Sequence, residues 1–217
     1  RVGIRPVAFR HERGAIMAAD GYSRISDRQR FGVAAVQSQA GAENAMGGIA
    51  QANADNIPIL VFVGGNNLAQ LSVRPNFTAS QHYQGWVKSV ETIYSPSQVG
   101  DVMRRAFHAL RNGTPGPVVV ELTGDVCSQD VPEAAQNYQS PKIHRQVPEP
   151  DAIEEAAAAL IYAERPMIWA GQGVMFSGAA AALQKLSELT AAPVFTTMPG
   201  KSAFDERHPC LLYTSDA

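Results

Sequence analysis

Three short apolar runs without polar alternation limit what this chain can fold into. They are residues 31–36 (FGVAAV), 58–65 (PILVFVGG) and 118–122 (VVVEL). A strand with one wet face alternates apolar and polar residues. A run that is apolar throughout suits a strand covered on both faces, as in a parallel sheet. Between the first two runs the spacing predicts an Ala- and Gly-rich helix from about residue 42 to 53. Before the third, Pro96 opens a helix whose apolar face is Val99, Val102, Met103, Ala106, Phe107 and Leu110, with Arg104, Arg105 and Arg111 solvated. Strand and helix in alternation imply crossover connections, hence an α/β fold with an open parallel sheet and helices on both faces. Gly47 and Gly48 each cost roughly 1 kcal/mol in a helix interior relative to alanine. The expected compensation is close approach of another backbone, within the subunit or across an interface.

The chain has 217 residues, enough for one full domain and part of another. From residue 128 to 150 it is polar with four prolines, and a second strand–helix series then begins. Asp151 can cap a helix running to about Tyr162. Residues 166–170 and 193–197 read as strands, with a helix over 179–189 between them. The expected organisation is a first domain over 1–127, a linker over 128–149, and the beginning of a second Rossmann-like α/β domain over 150–209. The chain opens at Arg1 without a Met. Residues 210–217 (CLLYTSDA) look like the translation of a sequencing adapter and are expected to be a non-native tail. A net charge of −2 with 18% charged residues gives no electrostatic case for nucleic acid or a membrane surface. No apolar run reaches the length of a membrane span. Two cysteines, Cys127 and Cys210, form no disulfide framework and no metal-ligand spacing, so a cytoplasmic setting is expected and no metal site.

Glu12 is the candidate catalytic residue. Residues 6–9 (PVAF) read as a short strand, and Ala15, Ala18, Ala19 and Tyr22 then recur at helical spacing. Glu12 therefore sits where a strand hands over to a helix. Free backbone N–H groups and the helix dipole favour its charged form, while burial at a strand end opposes it. A glutamate between those pressures can share a proton with a ring nitrogen. Taken by itself, it equally serves to stabilise its own helix.

With its neighbours, His11-Glu12 followed by Ala18-Ala19-Asp20-Gly21-Tyr22-Ser23-Arg24 resembles the glutamate segment of thiamine-diphosphate (ThDP) enzymes of the acetolactate synthase and pyruvate oxidase group. The resemblance covers roughly residues 6 to 209 and makes 1–127 the pyrimidine-binding domain, truncated at its N-terminus, and 150–209 part of the central domain. It implies that Glu12 drives the tautomeric shift of the cofactor's aminopyrimidine. The family's Ser-Gly-Pro-Gly-x-x-Asn turn is matched at Ser38, Gly41 and Asn44, with Gln39 and Ala40 departing from it. Ser38, Ala40, Gly41 and Asn44 are thus implied cofactor contacts. The long polar loop over 66–86 corresponds to one that usually carries a Phe-Gln pair facing the cofactor or substrate. Here Phe77 is followed by Thr78, and Gln81, His82 and Gln84 are the candidates, Gln81 taken first.

Gly171 and Gly173 after a strand are the carry-over of a central domain that binds FAD in acetolactate synthases and ADP or nothing in other members. The third glycine of a dinucleotide fingerprint is missing at Phe176. The family holds the diphosphate and Mg²⁺ on a Gly-Asp-Gly segment with a downstream Asn, but here Gly124-Asp125 is followed by Val126. The implied function is 2-oxo acid decarboxylation and acyl transfer, most like an acetolactate synthase large subunit. The implied assembly is a homodimer or homotetramer with the site between subunits, so this chain would carry half a site and be inactive alone. Other members of the group (sulfoacetaldehyde acetyltransferase, oxalyl-CoA or aromatic 2-oxo acid decarboxylase), a nucleotide-binding module and a noncatalytic homologue stay open, as do the acyl donor and acceptor.

Overall fold

Helix formation in this chain follows its small residues, and so does the packing. A computed structural model of the chain describes residues 3–144 and 146–215. It divides into two compact units, residues 1–144 and 145–217. The first unit contains α1 (Glu12–Ile25), β1 (Gly32–Val36), α2 (Ala40–Ala54), β2 (Ile59–Gly64), α3 (Ala79–His82), β3 (Ser89–Ile93), α4 (Val99–Arg111), β4 (Val118–Leu122) and α5 (Glu133–Gln136). Its four strands are all parallel, in the order β1-β2-β4-β3.

The two faces of that sheet carry different cores. On one, Ile16 and Ala19 of α1 and Ala42, Ala45, Ile49 and Ala52 of α2 pack against Val36, Ile59, Val61 and Val63. On the other, Val102, Ala106 and Leu110 of α4 cover Leu60, Val118 and Val120. This is the expected arrangement of helices on both faces. The β2 and β4 strands are buried almost throughout, as continuous apolar runs require.

Two expectations change, and one strand has no counterpart in the sequence reading. Residues 6–9 form no strand: the run is exposed, and it has no ladder partner among the described residues. Strand β1 is not covered on both faces. It lies at the sheet edge, alternates buried and exposed residues, and leaves Val33 56% exposed. Strand β3 carries no apolar run (Ser-Val-Glu-Thr-Ile) and sits at the opposite edge, where a half-exposed strand tolerates Glu91 paired to Arg105 of α4 at 2.8 Å.

Gly48 explains the Gly pair. A Cβ there would lie 2.9 Å from Ile16 Cγ2 and 3.5 Å from the Arg13 carbonyl oxygen, and one at Gly47 would lie 3.3 Å from the Arg13 guanidinium. Helix α1 is therefore the close neighbour that the glycines admit, within this chain. Residues 133–144 lie along α4: Tyr138 meets Phe107 ring to ring at 5.6 Å, and His144 N donates to Asn112 Oδ1 at 2.7 Å.

The second unit has α6 (Pro150–Tyr162), β5 (Ile168–Ala170), α7 (Gly173–Phe176), α8 (Ala180–Thr190), β6 (Val194–Thr197) and β7 (Leu211–Ser215). Its strands are parallel in the order β5-β6-β7, with Leu183 of α8, Val194 and Phe204 in the core. The segment expected to be a non-native tail thus supplies β7, while its last two residues, 216 and 217, lie outside the described residues.

Candidate active site

Helix α1 begins at Glu12, and His11 caps it: His11 Nδ1 accepts a hydrogen bond from Arg13 N at 3.1 Å. Glu12 is thus the first helical residue, where the dipole and the unpaired N–H groups meet a carboxylate. The rest of the motif fixes α1 in place. Ser23 is fully buried; its hydroxyl donates to Pro58 O at 2.7 Å and accepts from Gly32 N at 2.9 Å. Gly32 is needed because a Cβ there would lie 2.1 Å from the Ala19 carbonyl oxygen. Arg24 bridges Asp20 and Asp55, at 2.7 Å to each. These two aspartates raise its guanidinium pKa further, chiefly through the hydrogen bond to Asp20.

This anchored helix brings Glu12 to the start of α2. Asn44 Nδ2 donates to Glu12 Oε2 at 3.3 Å. A Cβ at Gly41, which is buried, would lie 3.4 Å from Glu12 Oε1 and 2.8 Å from Gln37 Cβ. Gly41 and Asn44, 29 and 32 positions beyond Glu12 in sequence, therefore share one corner with it. Glu12 is half-buried rather than sealed from water. Ser38 and Ala40 belong to the same turn, and Ser38 N lies 3.0 Å from the position a Gly64 Cβ would take. Gln81 is exposed on α3, and no hydrogen bond or ion pair joins it to Glu12 among the described residues. In the second unit, Gly171 and Gly173 follow the C-terminal end of β5, the end where open parallel sheets bind ligands. A Cβ at Gly173 would meet nothing within 4 Å.

These residues fit the pyrimidine of ThDP. Glu12 Oε1 has no protein partner among the described residues, while Oε2 is oriented by Asn44. Any side chain at position 41 would fill the space before Oε1, and glycine keeps it open for a flat ring.

Two buried residues near this corner are not among the candidates drawn from the sequence. Glu121, 3% exposed on β4, accepts from Ala79 N at 3.2 Å and Ser80 N at 3.0 Å and so caps α3. Tyr83, fully buried, donates its hydroxyl to Ala42 O at the first turn of α2. Burial, then the charges of Glu121 and Glu43, push the Tyr83 phenol above its ordinary value. A single Glu inside the otherwise apolar run 118–122 is the one available hint for Glu121.

Among the described residues no group of three or more His, Cys, Asp or Glu side chains could hold a metal ion, and no helix is long and apolar enough to cross a membrane.

The chain is 34% identical to "Glyoxylate carboligase" of Escherichia coli O157:H7 over 95% of its own length and 35% of that protein's. It is 36% identical to "Probable acetolactate synthase large subunit" of Methanocaldococcus jannaschii, covering 95% of this chain and 36% of the relative. The chain thus spans about a third of the length of these relatives. The X-ray structure of a "putative thiamin diphosphate-dependent enzyme" from Mycobacterium smegmatis shares the fold, with a TM-score of 0.84 at 23% identity, over 94% of this chain and 40% of that one. Residues 1–91 match the family described as thiamine pyrophosphate enzyme, N-terminal TPP binding domain, and residues 153–215 match its central domain. With a helix-opening glutamate facing a glycine-cleared turn in the first of these segments, the chain belongs to the thiamine pyrophosphate enzyme family.

Proposed function

We propose that this chain supplies the pyrimidine side of a ThDP-dependent 2-oxo acid decarboxylase and carboligase, most like an acetolactate synthase large subunit. The observation that carries the reading is the Glu12 carboxylate, oriented by Asn44 at 3.3 Å and facing the cleared approach at Gly41. Glu12 holds a proton at Oε1 against a pyrimidine nitrogen, and Asn44 keeps the other oxygen from turning away. The turn over Ser38, Ala40 and Gly41 presents backbone to the ring, and the Gly41 position excludes any side chain that would block it. When bound, ThDP supplies a carbon nucleophile that adds to a 2-oxo acid and accepts the electron pair left by departing CO2.

The catalytic half of the reading extends to parts this chain does not hold. Mg²⁺ and the diphosphate would be bound by a Gly-Asp-Gly…Asn segment absent from the 217 residues, on a partner subunit of a homodimer or homotetramer. Gly171 and Gly173 would face FAD where the enzyme uses it. A cytoplasmic setting suits the two free cysteines. Relatives are named for glyoxylate and for 2-ketoarginine, so the donor is to be found by assay.

The test uses the holoenzyme containing this chain, with ThDP and Mg²⁺, offered pyruvate, glyoxylate, an aromatic 2-oxo acid, sulfoacetaldehyde and oxalyl-CoA. Turnover of one donor that Glu12→Gln abolishes supports the reading. Turnover unchanged by Glu12→Gln, or by the 217-residue chain alone with pyruvate, contradicts it.

A further inference from the structure

Gln39 stands where the family pattern has glycine, and its backbone shows why glycine is expected. Its φ is +56° and ψ −117°, a left-handed conformation that side chains rarely adopt. Something must hold a glutamine there. Its side-chain Nε2 donates to Asn76 Oδ1 at 2.7 Å and lies 3.0 Å from Asn66 Oδ1, while its Oε1 accepts from Phe77 N at 3.1 Å. Asn66 Nδ2 in turn donates to Asn76 Oδ1, so three side-chain amides close a ring. Asn76 Nδ2 continues it to Thr78 Oγ1 at 3.3 Å. The partners are 27 and 37 positions from Gln39, so the ring joins the turn after β1 to the far loop and is not a local turn motif.

We propose that Gln39 is a positioning residue that fastens the 66–78 loop to the turn beside Glu12 before any cofactor arrives. The inference deepens the ThDP reading at the same site. Gln39 and Gly41 flank Ala40, and Gly41 borders Glu12 Oε1. Downstream, the backbone N–H groups of Ala79 and Ser80 are held by the buried Glu121 carboxylate, and Phe77 stacks on His82 with ring centroids 4.3 Å apart. The loop is therefore tied at Phe77 through its own backbone and again at residues 79 and 80. A polar loop fixed this way is preorganised beside the turn that carries Gly41, without waiting for a ligand to order it. A ring of amides in a half-buried setting is also cooperative: loss of one member leaves the others underpaired.

The test is done on the 217-residue chain in solution, by amide hydrogen exchange and ¹⁵N-resolved NMR. In Gln39→Gly, exchange at Phe77 N–H speeds by at least about tenfold, while the thermal midpoint stays near that of the parent. Asn76→Ala, which leaves the turn untouched, does the same and moves the Gln39 side-chain amide signals to the position of free glutamines. The double variant is no faster than the faster single one. Glycine is the residue this φ prefers, so a Gln39 that merely fills the turn predicts unchanged or slower exchange in Gln39→Gly; that result overturns the proposal, as does strict additivity. These readouts need no cofactor. A failed Glu12→Gln activity test with intact amide coupling rejects the ThDP role alone, and the converse rejects the fastening alone.

Discussion

Replacing Gly32 by alanine strikes the joint that carries Glu12. The new Cβ would lie 2.1 Å from Ala19 O, 2.4 Å from Ala19 Cα and 2.5 Å from Ala19 C. All three are backbone atoms, so no rotamer change relieves the contact. Carbon atoms pack at about 3.5–4.0 Å, so α1 must retreat from β1 by roughly 1 Å. That retreat stretches the 2.9 Å bond from Gly32 N to the buried Ser23 hydroxyl past hydrogen-bond range. Overpacking costs about 1–3 kcal/mol. An underpaired buried hydroxyl and N–H add about 1–3. Alanine's lower chain entropy in a strand offsets about 0.5–1. The net is a loss of about 1–5 kcal/mol, a large share of a typical domain's stability.

Urea unfolding measures it, with Trp86 as the probe in a Trp169→Phe background, because Trp169 lies in the second unit. Ser23→Ala alone costs about 1–3 kcal/mol, and the double variant costs less than the sum because both changes break one joint. A loss under about 0.5 kcal/mol for Gly32→Ala, or full additivity, would refute the packing argument.

Gly48→Ala and Gly21→Ala part in sign. At Gly48 the Cβ meets Ile16 Cβ at 3.0 Å and Cγ2 at 2.9 Å, so overpacking outweighs the helix gain and stability falls by about 1–2 kcal/mol. At Gly21 nothing lies within 4 Å, and the isolated chain gains up to about 1 kcal/mol; equal effects in denaturant midpoints would contradict this. The Tyr83 phenol titrates above its ordinary value because burial, foremost, disfavours its anion. Its contribution is therefore intact below about pH 10, where a free tyrosine ionises, and falls as pH rises toward the folded value. Absorbance at 295 nm should show one of the six tyrosines staying protonated until alkaline unfolding, and Tyr83→Phe should flatten the stability decline above pH 10.

How much the sequence reveals depends on whether a residue's partners are near in the chain. Strands β2 and β4 were readable because a doubly covered strand needs an unbroken apolar run. Strand β3 was not, since an edge strand may carry Glu91 and Thr92. Residues 6–9 have a strand's composition, but no partner pairs with them among the described residues. The helix opening at Glu12 follows from local signals. Its meeting with Asn44 does not, because it depends on Ile16 seating against Gly48 and Ser23 reaching Pro58. Only the family resemblance foretold that corner. Gln39 reads as a departure from the pattern, and its purpose lies in Asn66 and Asn76, which no periodicity links to it.

Proton exchange at C2 of bound ThDP tests the role of Glu12 most directly. In the holoenzyme containing this chain, ¹H NMR after acid quench follows replacement of that proton by deuterium. If Glu12 drives the pyrimidine shift, Glu12→Gln slows exchange by about 10²- to 10⁴-fold while ThDP still binds. An exchange rate equal to that of the parent enzyme, with cofactor bound, contradicts the assignment.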